Sequence, residues 1–172
     1  MTALLIISFL VMFGYIAYYI NKVGVLSSHS NSYFALKPYK QSWLFYASMT
    51  ITAFTLLPVA LELTPEPLQI LAFLTVAPIA AVAAAANYHG DTMESKVHFT
   101  SATIAGIASM LWAVYMSYSY SWLLLCFVAV LGLIAFLANK RWRSPMLFLE
   151  YWLFSYPYVI MFLVLILNLK IK

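Results

Sequence analysis

The chain has 172 residues, 65% of them hydrophobic and 8% charged, with a formal net charge of +4, whereas a soluble globular domain carries about a quarter charged residues. Mean hydropathy is +0.93, and the apolar runs lack the polar outer face that a soluble helix keeps, so the composition points to an integral membrane protein and argues against a soluble domain. The bases stand at the ends of hydrophobic segments and not in a patch interleaved with aromatics, which reads as a topology signal and gives no reason to expect a nucleic-acid partner.

These features predict an all-α fold, a polytopic bundle of six spans forming a single transmembrane domain over residues 1–172. The spans are expected at about 3–20, 42–63, 65–87, 92–117, 122–138 and 145–169. The first is long enough to cross about 30 Å of hydrocarbon at about 1.5 Å per residue. It lacks a basic leader and a small-residue cleavage site, so it reads as a retained helix. Tyr15, Tyr18 and Tyr19 share one face at its end and are expected to mark an interface.

Residues 21–41 form the longest polar connection and hold the run Ser-Ser-His-Ser-Asn-Ser. A short interfacial helix is expected near 33–36, stopped by Pro38, and His29 among its serines reads as a solvated loop histidine. In the second span Pro58 suggests a kink, while Thr50, Thr52 and Thr55 can bond to carbonyls of the preceding turn. Thr64 is expected to cap the third span, with Pro65 and Pro67 in a first turn that needs no amide donors. That span passes Pro78 and ends in an alanine-rich half suited to close helix approach.

The stretch ANYHGDTMESKVHFTSA, residues 86–102, holds two of the three histidines and two of the five acids. Gly90 supplies a turn, Asp91 is expected to cap the fourth helix, and Glu94 three residues on could return the bond as in a capping box. His98 lies about two turns into that helix, roughly 9 to 10 Å along its axis. Ala102 and Gly106 follow at helical spacing with Ser101, Ala105 and Ser109 beside them, a small-residue packing face that turns His98 toward the bundle. A turn is expected at 118–121 and a polar break at 139–144, with Ser144 and Pro145 opening the last span.

Glu150 falls at a depth similar to that of His98, in a segment with no other charge before Lys170. An intramembrane acid faces a partner or a cavity, so Glu150 is expected to pair with His98, with Arg141 or Arg143 as the alternative. The candidate site is therefore a polar cluster of Glu94, His98, Glu150, His89, Asp91 and Arg141. Their spacing fits no specific metal motif, so neither a metal nor another cofactor is expected. No catalytic residue is assigned: serines lack a Gly-x-Ser-x-Gly setting or a nearby His-Asp pair, and glycine-rich phosphate loops are absent. The single Cys126 lies in an apolar run and reads as a small buried hydrophobe.

Seven of the nine bases fall on one side of this plan, which places the connections around 22–41, 88–96 and 139–144 in the cytoplasm, with both termini opposite. A re-entrant span would move the C-terminus to the other side. A plasma membrane or bacterial inner membrane is the expected location. Expected partners are membrane lipids, with a second copy of the chain or another membrane protein as further candidates. The expected role is non-enzymatic binding of lipid, amphiphile or a membrane partner. An oligomeric channel or membrane-disrupting effector, and an intramembrane lipid-modifying enzyme using the histidines and acids, are the alternatives.

The fourth helix, opening His98-x-x-x-Ala102 after a polar turn that carries Asp91, together with Glu150 early in the last span, resembles a feature of small six-span membrane proteins of the Frag/DRAM type and related uncharacterised bacterial families. The resemblance implies a six-helix bundle without an established enzymatic activity, and it lends no catalytic residue.

Overall fold

The computed structural model describes residues 1–120 and 145–166, and every element in them is helical. In chain order these are α1 (Thr2–Val23), α2 (Ser32–Leu36), α3 (Trp43–Leu63), α4 (Gln69–Ala84), α5 (Thr92–Tyr120) and α6 (Pro145–Ile166). Single 3-10 turns, Lys37–Tyr39 and Glu66–Leu68, follow α2 and precede α4. Four segments are long and apolar enough to cross a membrane: Thr2–Val23, Trp43–Leu63, Glu66–Ala84 and Thr92–Met116. A helix suits that setting because it satisfies its backbone internally where no water is present. The expected fifth span at 122–138, Cys126, Arg141 and Arg143 lie outside the described residues.

The helices close into a ring. α1 packs on α3, α3 on α4, α4 on α5 and α5 on α6, and α6 returns to α1 and α3. Direction follows from the cross-contacts. Ser8 Oγ donates to the Thr52 carbonyl at 3.4 Å while the rings of Tyr15 and Phe45 lie 6.3 Å apart, so α1 and α3 run antiparallel. The Tyr19 and Tyr151 hydroxyls bond near one end of the α1–α6 pair, and Ser8 meets Tyr158 at 2.5 Å nearer the other. The C-termini of α1 and α4 and the N-termini of α3, α5 and α6 therefore meet at one end of the bundle. Trp112, Tyr19, Phe45, Leu5 and Met12 are among the fully buried side chains at its centre.

Several local expectations change once the chain is packed. Tyr15 and Tyr19 are buried inside the bundle, not set at an interface, and only Tyr18 is exposed, where its hydroxyl donates to Gln41 Oε1 at 2.6 Å. α2 sits where a short helix is expected, but Ser32, Tyr33 and Leu36 are buried. Thr64 does not cap α4. Its hydroxyl donates back to the Ala60 carbonyl at 2.6 Å and accepts the Trp112 indole N–H at 2.7 Å, closing α3 onto α5. α5 continues through Tyr120, beyond the turn expected at 118. Thr55 bonds to the Ile51 carbonyl at 2.7 Å as the sequence suggests.

Asp91 caps α5: its carboxylate accepts the amides of Met93 at 2.5 Å and Glu94 at 3.3 Å. Glu94 does not complete a capping box: it accepts no bond from the Asp91 amide, and its Oε2 is buried without a hydrogen-bond partner. Asp91→Ala is expected to cost about 1 kcal/mol of stability and Asp91→Asn much less, because Asn accepts the same amides. Equal melting temperatures for the two variants would remove Asp91 from that role.

Candidate functional site

The polar run in the first connection is the centre of the bundle's crowded end. Four consecutive residues are each held by a different part of the fold. The His29 amide donates to Glu150 Oε2 on α6 at 2.5 Å. Ser30 Oγ lies 2.9 Å from His98 Nε2 on α5. Asn31 accepts the Tyr88 hydroxyl at 2.7 Å from the turn between α4 and α5, and donates to Ser27 at 2.7 Å. Ser32 Oγ lies 2.6 Å from the Tyr15 hydroxyl on α1. A surface connection is ordinarily mobile, but this one is fixed residue by residue.

The expected direct pairing of Glu150 with His98 is replaced by a relay through that connection. Glu150 takes the His29 amide, and His98 takes Ser30 on one ring nitrogen and the Ala85 carbonyl, at 3.0 Å, on the other. A carbonyl can only accept, so Nδ1 of the neutral ring carries the proton and Nε2 is left as an acceptor for the Ser30 hydroxyl. Tyr88 stacks on the His98 ring with centroids 4.3 Å apart. Burial raises the Tyr88 phenol above its usual range, which keeps it a protonated donor to Asn31.

His29 departs furthest from its expected solvated state. It is 1% exposed, and its ring is surrounded by Tyr15, Tyr19, Phe45, Tyr151 and Phe154 at centroid distances of 5.5 to 6.4 Å. Neither ring nitrogen has a hydrogen-bond partner. Burial pushes its pKa down to about 3, so the imidazole is neutral at physiological pH.

Beneath the connection lies a cavity of about 350 Å³. His29, Ser30 and Glu150 form one end, and the walls, from α1, α3, α4, α5 and α6, are mostly apolar, with the hydroxyl residues Thr52, Thr75, Thr103, Ser109 and Tyr158 among them. The small residues of α5 explain it. α5 does pack closely on α4 and turns His98 into the bundle as expected, but Ala102, Ala105, Gly106 and Ser109 also line the space, so the small side chains leave room beside that contact. A Cβ at Gly106 would meet only Leu153 Cδ1, at 3.7 Å.

The other expected site residues are dispersed. His89 is exposed and packs on Phe34 and Tyr88 at 4.5 and 4.4 Å, and Asp91 is occupied as a cap. Glu94 is half-buried on α5, and Arg141 lies outside the described residues. Among the described residues no group of three His, Cys, Asp or Glu side chains is placed to share a metal ion. Ser30 and His29 are the members that sequence reasoning missed, and the one signal for them was a histidine in the longest connection of a chain that has only three.

No protein-family model matches the chain, and no curated protein or solved structure shows significant similarity to it.

Proposed function

We propose that this chain is a six-span integral membrane protein that binds a lipid or other single-chain amphiphile in the cavity beneath the first connection. The observation that carries the reading is the cavity's polarity. Mostly apolar walls lead to an end that holds the cavity's only ionisable carboxylate and histidine among the described residues, Glu150 and His29, with Ser30 beside them, which suits a ligand with a hydrocarbon chain and a small polar head. Its volume is near the lower limit of about 300 Å³ for ligand pockets, which suits one chain better than an intact two-chain phospholipid. The six-span plan, with a crossing at 122–138, is part of the same proposal and accords with the Frag/DRAM-type resemblance. Lys22, Lys37, Lys40 and Lys96 stand at the end of the connection, while Glu62 and Glu66 stand at the other. By the positive-inside rule the site then faces the cytoplasm of a plasma or inner membrane.

Native mass spectrometry of protein released from mild detergent tests this. The parent is expected to retain a defined lipid, and Gly106→Leu, which puts a branched side chain into the cavity, is expected to lower occupancy by more than about tenfold without loss of helix content. Equal occupancy in parent and variant would place the lipid elsewhere on the protein.

A further inference from the structure

Two features of the polar end exceed what lipid binding needs. A histidine whose only duty was to hold the connection could bond Ser30 in either tautomer. Here the Ala85 carbonyl, 3.0 Å from Nδ1, sets the tautomer that leaves Nε2 as acceptor 2.9 Å from Ser30 Oγ. This is the relation of a hydroxyl nucleophile to its general base, with a carbonyl as the orienting third group. Ser30 also lines the cavity, beside the space that would hold a chain. The second feature is His29. His29 borders the same cavity, and both nitrogens of its buried ring are unpartnered; a buried polar group without a partner is costly unless something else supplies one.

We infer that Ser30 and His98 form a nucleophile and general base that cleave a carboxylic ester of a long acyl chain bound in the cavity, with the His29 ring N–H donating to the ester's carbonyl oxygen. This rests on the lipid-binding reading for the identity of the substrate. His29 and Ser30 adjoin in sequence, and the neighbouring bonds of His29, Asn31 and Ser32 hold the segment in place before any substrate arrives.

The chemistry balances with water as the co-reactant. His98 Nε2 takes the Ser30 hydroxyl proton as Oγ bonds to the ester carbon, and the carbonyl electron pair moves onto oxygen beside the His29 N–H. Collapse breaks the bond to the alcohol oxygen, which leaves with the proton from His98. Water then attacks the acyl-Ser30 carbonyl and gives a proton to His98. The carboxylic acid departs, and Ser30 recovers its proton. A second alcohol in place of water would make the same step an acyl transfer.

The test is covalent labelling of the full chain in mild detergent with fluorophosphonates bearing an ethyl or a dodecyl group, followed by peptide mass spectrometry. The expected result is a dodecyl adduct on Ser30, formed faster than the ethyl adduct. His98→Gln is expected to slow labelling by at least about 10²-fold. His29→Phe is expected to lower turnover of 4-nitrophenyl dodecanoate by about 10²- to 10³-fold, the loss that follows removal of one oxyanion donor. The parent measurement needs no variant to fold. Absence of an adduct on Ser30 with both probes would overturn the nucleophile, even in protein that retains lipid. A labelling rate unchanged in His98→Gln would overturn the base. Labelling by the ethyl but not the dodecyl probe would overturn the acyl-chain cavity, and with it the proposed substrate, separately from the serine–histidine pair.

Discussion

Acidification from pH 7 to pH 4 is expected to destabilise the parent protein by about 3 kcal/mol more than a His29→Phe variant. His29 is caged by aromatic rings, and burial lowers its pKa to about 3 from an ordinary value of 6.5. Between those values the unfolded chain binds a proton that the folded chain refuses, so stability rises with pH across the window. It is fully present above pH 6.5 and is lost as pH falls toward 3. At pH 4 the ring is still neutral in the folded state, and about 2.5 units of the window have been crossed at about 1.4 kcal/mol each.

The rings of Tyr15, Tyr19 and Tyr151 face the imidazole and are the same in parent and variant. Glu150, held to the His29 backbone amide, is retained in both proteins, so the difference between them isolates the imidazole. Phe fills the aromatic surroundings without a titratable group. Thermal unfolding in detergent at pH 7 and pH 4 measures the effect, and an equal shift in the two proteins would mean that His29 is not held neutral by burial.

How much of this was legible depended on the range of the interaction. The short α2 and the Asp91 cap follow from signals within a few residues: Pro38 after the one, and an acid beside Gly90 for the other. The membrane class followed from composition alone. By contrast, Ser-Ser-His-Ser-Asn-Ser has the composition of a solvated turn, and nothing local announces that His29 meets rings from α1, α3 and α6. The depth of Glu150 could be counted along α6, which made a polar partner necessary, but the partner is a backbone amide 121 residues away. Backbone amides carry no sequence signature. The small residues of α5 were visible too, yet small side chains permit close helix contact, a cavity or both, and the shape of the facing helices decides which.

Thr64 shows the same limit at the opposite end of the bundle, and Thr64→Val is expected to be costly only while Trp112 is present. The Trp112 indole is fully buried, and its N–H donates to Thr64 Oγ1 at 2.7 Å. Valine keeps the shape of threonine but cannot accept, which leaves a buried donor unpaired at a cost of about 1–3 kcal/mol. In a Trp112→Phe background that donor is gone, so the same substitution is expected to cost only the bond from Thr64 to the Ala60 carbonyl. The coupling in a double-mutant cycle should approach the upper end of interhelical bonds in membranes, about 1.7 kcal/mol, because the indole is fully buried and Thr64 is its acceptor among the described residues. Trp112→Ala goes further, since it empties a fully buried aromatic site where α5 meets the end of α3, and is expected to cost about 3 kcal/mol or more. Unfolding titrations in mixed detergent would read all five proteins. Additive effects of Thr64→Val and Trp112→Phe would show that the closure of α3 onto α5 depends on packing alone, with the hydrogen bond contributing nothing separable.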